Sequence, residues 1–303
     1  MIECKNFMIA LDKYYSKEGI NKSRVNAHLK EHYEKLNYTN ELGYADWMKR
    51  ILDYISLKEC NTQTNNEKLK ILDIGTGTGE FVVLMNALGH DARGIDLHTE
   101  HLELANILAK ENNMDESTFI YNDKKSLPFE DNSFDLITSF SVFEHLENEV
   151  LEWMLPEIFR ICRGCVFTLV PNPIKPIDDH TGLAFLGHMP RWLATRYINL
   201  RGEKYRYSIS RSGEWDVYYR YLNGIKKVFN KHNFQLDYLP DEYIYPSLEK
   251  CPPVHRIGKN FNFFGKNFFF GISLFPNVFI NFGIPKQYFY PYLNLISRPL
   301  KND

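Results

Sequence analysis

The stretch from Lys70 to Gly89 constrains the chain more than any other. KILDI is a run of apolar, branched residues and reads as a buried strand. It runs into Gly75, Gly77 and Gly79, spaced G-x-G-x-G, and then into EFVVLMNAL, which reads as a helix with Gly89 as its stop. Strand, glycine turn and helix in that order open a right-handed parallel crossover. Glycine permits the tight turn and a close backbone approach to a ligand, and the helix start offers unpaired N–H groups. A nicotinamide-binding loop would read G-x-G-x-x-G. Here the last glycine comes one residue early, and Asp73 precedes the first by two positions. A carboxylate there is unhelpful to a pyrophosphate and useful to an ammonium group.

The alternation continues downstream. DARGIDL, STFIYND, FDLITSF, CVFTLVP and QLDYLP read as further strands, and PYLNLISRPL as a last one. Between them, EHLELANILAKENN reads as a helix capped by Thr99, with Leu102, Ala105, Leu108 and Ala109 on one face. NEVLEWMLPEIFRIC reads as a helix that Pro156 kinks, and WDVYYRYLNGIKKVFNKHNF as another. The pattern predicts an α/β fold, a doubly wound sheet covered on both faces. Residues 1–68, with Leu42, Trp47, Ile51, Leu52 and Ile55 at helical spacing, read as an N-terminal helical cover with a role as a lid left open. Residues 69–239 read as the main domain, and 240–303 as an aromatic-rich insert plus the last strand of that domain.

Composition narrows the function classes. Lys and Arg number 36 against 38 Asp and Glu, a formal net charge of −2. The broad basic field of a dedicated nucleic-acid binder is missing, so no nucleic-acid partner is expected. The opening MIECKNFMIALDKYY is broken by charges, and no apolar run reaches the roughly 18 residues of a spanning helix. Five cysteines, an odd number, fit a reducing cytoplasmic setting. Cys162 and Cys165 form a lone pair with no second pair to complete a zinc site, and read as core or turn thiols.

Three more elements follow the glycine loop in order. Asp96 ends the second strand, 21 positions after Gly75, where a carboxylate can accept bonds from two ribose hydroxyls. Asp123, flanked by Asn122 and Lys124, closes the third strand and can bond an adenine amino group. Ser139 to His145 follow the fourth. All lie at carboxyl ends of strands, where open α/β sheets bind ligands.

These segments resemble the class I S-adenosylmethionine-dependent methyltransferases, and within them the group of ubiquinone and menaquinone methyltransferases and many small-molecule and glycan methyltransferases. LDIGTGTGE, GIDLHTEHLELA, NDKKSLPFEDNSFDLI, SVFEHLEN and EIFRICRGCVFTLVPNP carry the resemblance, well over residues 70–173 and loosely to 239. PYLNLISRPL is similar to the family's reversed last strand, so the resemblance implies a Rossmann-like, mostly parallel sheet with that strand antiparallel. The family's Leu-Lys-Pro-Gly-Gly turn before strand five is here Cys162-Arg163-Gly164-Cys165. The resemblance implies S-adenosyl-L-methionine as cofactor. It places Gly75, Gly77 and Gly79 beneath it, Asp73 at its amino group, Asp96 and Leu97 at the ribose, Asp123 and Lys124 at the adenine, and Phe140 against the methionine portion.

Methyl transfer depends chiefly on alignment, because the sulfonium is already activated. A hydroxyl acceptor also needs a base, and His145 and His180 are the candidates. O-methylation of a small-molecule, glycan or lipid-linked acceptor is the expected activity. A carbon or nitrogen acceptor, or a cofactor-binding protein without catalysis, are the alternatives. Asp178, Asp179, His180 and His188 do not have spacing that defines a metal site, so no metal is expected. The insert, residues 240–286, places Phe261, Phe263, Phe264, Phe268, Phe269 and Phe270 in one span. Internal packing, an acceptor pocket and peripheral membrane contact all remain open for it.

Overall fold

The computed structural model describes residues 2–17, 22–36, 44–58, 68–174, 177–178, 180–202, 205, 208–210, 212–243 and 292–300. Seven described strands form one sheet: β1 (Lys70–Ile74), β2 (Asp91–Asp96), β3 (Phe119–Tyr121), β4 (Phe134–Phe140), β5 (Cys162–Pro171), β6 (Phe234–Tyr238) and β7 (Tyr292–Pro299). Their order is β3-β2-β1-β4-β5-β7-β6. The β1–β2, β2–β3, β1–β4 and β4–β5 pairs are parallel, and β7 runs antiparallel to both β5 and β6. The reversed last strand read from PYLNLISRPL is therefore present. The winding direction reverses between β1 and β4, and at such a switch point the loops diverge to leave a ligand crevice.

Eight helices flank the sheet among the described residues: α1 (Lys5–Lys17), α2 (Lys22–Leu36), α3 (Tyr44–Lys58), α4 (Glu80–Ala87), α5 (Thr99–Glu111), α6 (Asn148–Ile161), α7 (Arg191–Leu200) and α8 (Leu222–Lys231). One apolar core joins α4 and α5 to the N-terminal helices through Phe7, Leu11, Trp47, Met48, Ile51 and Ile55. The other packs α6 and α8 on the opposite face through Leu151, Leu155, Ile158, Ile225 and Phe229. Burying each such side chain contributes about 1.5–3 kcal/mol before entropy is counted. Glu111, at the end of α5, accepts the amides of Asn6 (2.6 Å) and Phe7 (2.9 Å), so one acid satisfies orphan donors at the start of α1. The Trp47 indole donates to the Tyr243 carbonyl at 2.6 Å.

Several local expectations change. His98, not Thr99, occupies the cap of α5, and no side-chain cap bond forms there. The helix read around Pro156 is present as α6, which holds Pro156 inside it and runs to Ile161. Cys162 to Cys165 belong to β5, not to a turn, and both cysteines are buried free thiols. The helix expected from Trp215 starts only at Leu222. Trp215 and Val217 instead join a small third cluster with Leu183, Leu186, Ala194 and Ile198. Gly89, at φ 97°, does end α4. The insert beyond Tyr243 lies outside the described residues, as does Leu42. No described helix is long and apolar enough to cross a membrane.

Candidate active site

The glycine loop is built against its neighbours as much as for a ligand. Gly75 has φ +71°, and a Cβ there would lie 2.4 Å from Val142 Cγ2. Gly79 has φ +87°, and its Cβ would lie 2.5 Å from Phe119. Gly77 differs: a Cβ there would meet nothing within 4 Å, so this residue borders open space. The loop is tied down by the amides of Gly75 and Thr76, which donate to the Ile95 carbonyl.

Asp96 organises the next turn. One carboxylate oxygen accepts the Gly77 amide at 2.9 Å and the other the His98 amide at 2.8 Å. The oxygen that accepts the Gly77 amide keeps a second lone pair for a further donor, whereas the other also lies 3.1 Å from the His98 ring Nδ1. Asp96 thus ties the glycine loop to the residue that precedes α5. Leu97 beside it is 58% exposed.

Asp73 is 3% exposed on β1, directly across from Thr138 on β4 at the switch point. The Thr138 hydroxyl donates to it at 2.7 Å. Burial pushes its carboxyl up to about 7 against that pull, and the charges of Asp96 and Glu80 add to the push. With no cation beside it, such an acid keeps its proton up to about pH 7.

Asp123 and Lys124 sit exposed in the loop after β3. The Tyr121 hydroxyl donates to Asp123 at 3.2 Å, and the Asn122 side chain braces the loop by donating to the Lys124 and Ser126 carbonyls. Phe140, at the end of β4, lies half-buried against Phe81 and Phe167. Strand order sets the ends of β3, β2, β1 and β4 in a row, so Asp123, Asp96, Gly75 and Phe140 follow one another across the sheet edge.

The chain carries a Methyltransferase domain, matched over residues 71–164. It is 33% identical over 188 residues to the demethylmenaquinone methyltransferase of Thermotoga maritima, covering 56% of this chain and 76% of that one. This chain is a class I S-adenosylmethionine-dependent methyltransferase. The ubiquinone biosynthesis O-methyltransferase of Rickettsia felis is 31% identical over 124 residues, 39% of this chain and 50% of the relative. The chain likewise spans about half of the uncharacterized methyltransferase YcgJ of Bacillus subtilis, at 32% identity over 140 residues. A solved S-adenosylmethionine dependent methyltransferase from Mesorhizobium loti aligns with a TM-score of 0.42 at 16% identity, covering 76% of this chain and 90% of that one. The methyltransferase's cofactor is S-adenosyl-L-methionine, and the open side of Gly77 and the buried, uncompensated Asp73 fit a molecule that carries an ammonium group.

A second cluster lies past β4. His145 and His180 are far apart in sequence, yet their rings stand 5.0 Å apart. His145 closes the short helical turn Phe143–His145, and its Nδ1 hydrogen-bonds the Asp216 carbonyl at 2.8 Å. His180 is placed by a turn in which the Asp178 carboxylate accepts the Thr181 amide and hydroxyl, both at 2.6 Å, and the Tyr219 hydroxyl at 2.7 Å. Burial pulls the His145 imidazolium down, but its bonds to Asp216 and the Glu144 charge outweigh this, so its pKa rises.

Glu144 was not singled out from sequence. It is 3% exposed, and neither oxygen has a full hydrogen bond among the described residues. Burial pushes its carboxyl up to about 7, offset in part by His145, its own amide and Ser141. Its only signal was its place before His145. The brace from residues 216–220 was hidden for a different reason, since they read as helix. Arg220 donates to the Phe143 and Leu146 carbonyls, and the Tyr218 amide to the Glu144 carbonyl at 2.6 Å. An apolar pocket beside Glu144 is lined by Phe143, Leu151, Val170, Tyr218 and Tyr219.

The N-terminal helices also reach the glycine loop. His32 of α2 pairs with Glu80, the residue that follows Gly79, and Glu80 also accepts the Thr78 hydroxyl. Burial would raise the Glu80 pKa, but His32 and Lys35 pull it down to about 2. Tyr15 bonds His32 at 2.9 Å, and Tyr14 lies 3.4 Å from His101.

Proposed function

We propose that this methyltransferase acts on a hydroxyl of a small-molecule or glycan acceptor, and that the His145–His180 pair assists loss of the hydroxyl proton. The observation that carries the reading is the pairing itself. Two imidazoles from separate loops meet at 5.0 Å beyond the carboxyl end of β4, beside a buried acid and an apolar pocket. A neutral amine, which can attack before it gives up a proton, would make less use of such a proton-handling group.

S-adenosylmethionine supplies, when bound, a methyl group already activated on a sulfonium. The chain's task is then to hold and align. Asp73 would take the ammonium group, its Thr138 partner keeping the carboxylate oriented. Asp96, with Leu97 beside it, would accept the ribose hydroxyls. Asp123 and the backbone near Lys124 would bond the adenine edge, and Phe140 would back the methionine portion. The brace from Asp216 to Arg220 holds His145 at a fixed place relative to β4, which supports orientation rather than mere proximity. The similarity to the ubiquinone biosynthesis O-methyltransferase of Rickettsia felis agrees with an oxygen acceptor.

The test is a set of single and double variants, His145→Ala and His180→Ala, assayed with labelled cofactor on a metabolite and glycan extract. Turnover should fall by about a hundredfold or more while S-adenosylhomocysteine still binds. Near-normal rates in the double variant would remove the proton-handling role.

A further inference from the structure

We infer that Glu144, His145 and His180 form a binding site for one divalent transition-metal ion. One ligand atom from each of the three lies within 4.8 Å of the others. Bonds of about 2.0–2.2 Å put the ligand atoms of one ion roughly 3–4 Å apart, so small side-chain rotations would close the set. The trio differs from a surface cluster of acids. Glu144 is 3% exposed and neither of its oxygens makes a full hydrogen bond among the described residues, beyond the weaker pull of its own amide and Ser141. A carboxylate taken out of water in this way needs a positive partner, and the two imidazoles beside it supply nitrogen ligands to the same point.

The surroundings match what a metal-binding histidine needs. The Nδ1 atom of His145 bonds the Asp216 carbonyl at 2.8 Å, which leaves Nε2 with its lone pair. The Asp178 turn fixes the segment that carries His180. Asp178 itself is not a ligand, because its oxygens already accept the Thr181 and Tyr219 donors. The grouping of Asp178 with His180 and His188 considered from sequence is therefore replaced by one that uses Glu144 and His145.

Two imidazoles and one carboxylate suit zinc, iron(II), manganese or cobalt rather than calcium. With one carboxylate charge against a divalent ion, the site keeps a net positive charge and open positions. An oxygen ligand placed there would lose its proton more readily. This part rests on the hydroxyl-acceptor reading. In that case the two histidines assist deprotonation by holding the ion, not by taking the proton. Binding of the ion itself does not depend on what the acceptor is.

A second trio, Asp96, His98 and His101, has comparable spacing. It is a poorer site, because both Asp96 oxygens already accept backbone amides and the His98 side chain is 62% exposed. It provides the control.

The experiment is calorimetric titration of chelator-treated, full-length protein with zinc and manganese chloride, with no cofactor or acceptor present. One ion per chain should bind, and Glu144→Gln, His145→Ala and His180→Ala should each weaken it by about tenfold or more. His101→Ala should bind as the wild type does. Each variant should still bind S-adenosylhomocysteine, which shows that it is folded. No saturable binding by the wild type, equal binding by the Glu144→Gln variant, or loss in His101→Ala alone would overturn the site. Because the readout is binding, failure to find an O-methylated product would count against the hydroxyl reading and leave this result intact.

Discussion

On the proposed reading, protonation of Asp73 should couple pH to cofactor affinity. Its carboxyl lies at about 7 in the cofactor-free enzyme because β1 buries it across from Thr138. An ammonium group bound beside it would return it to the ordinary carboxylate range, near about 4. Below about pH 7 the proton must therefore leave before the ion pair forms. With these values, affinity for S-adenosylhomocysteine at about pH 5.5 should be roughly thirtyfold weaker than at about pH 8, or about 2 kcal/mol. Calorimetry in two buffers of different ionisation enthalpy should show nearly one proton released per binding event at about pH 6. Asp73→Asn, which cannot titrate, should give a level pH profile and bind about ten- to a hundredfold more weakly at about pH 8. The same shift has a consequence for folding. The unfolded chain loses this proton near about pH 4 and the folded chain near about 7, so this group's contribution to stability declines across that window as pH rises. Asp73→Asn should accordingly raise the denaturant midpoint of the cofactor-free enzyme at about pH 8 and leave it little changed near about pH 4. A wild-type affinity that stays level from about pH 5.5 to 8 with no proton released would refute Asp73 as the ammonium partner.

Other perturbations separate the roles further. His32→Ala strands Glu80 as a buried, unpaired acid and should lower stability by about 3 kcal/mol in denaturant titration, with Glu80→Gln in the same chain restoring part of it. The Glu80 carboxyl is held at about 2, below its unfolded value, so the pair stabilises the fold above about pH 4.3, and this is lost as pH falls towards about 2. Gly75→Ala, which drives a methyl into Val142 at positive φ, should lower the unfolding midpoint more than Gly77→Ala. Gly77→Ala should instead show its main effect in weaker S-adenosylhomocysteine binding, since its Cβ meets only open space in the free enzyme. Asp96→Ala should weaken cofactor binding by more than the loss of one charge-assisted bond, because it also frees the Gly77 amide. Affinity unchanged within about twofold would remove Asp96 from the site.

The strands, the glycine loop and the strand ends that carry the proposed cofactor residues were legible because their signals are local. A strand, a G-x-G-x-G turn and an acid two residues earlier lie within one short stretch, and each strand carries its polar residue at its own end. The histidines were nameable for the same reason. Their pairing was not, because it depends on a turn set by Asp178, which contacts Tyr219 some forty positions away. Glu144 was passed over because burial, not identity, makes it unusual, and burial there comes from residues 216–220. Those residues read as part of a helix, yet Trp215 and Val217 pack into the third cluster and the helix starts only at Leu222. Thr99 looked like the cap because its type is favoured there, while the helix in fact starts at Thr99, with His98 in the cap position and its amide held by Asp96. The His32–Glu80 pair joins elements 48 positions apart and left no pattern to read.

Transfer of an isotope-labelled methyl group tests the central claim most directly. The enzyme is incubated with methyl-labelled S-adenosylmethionine and a metabolite and glycan extract of its source cells, and the labelled product is isolated and examined by nuclear magnetic resonance. The account predicts a methyl group on oxygen, formed by the wild type and lost when His145 and His180 are both replaced. Label found on carbon or nitrogen, or formed equally well by that double variant, would contradict it.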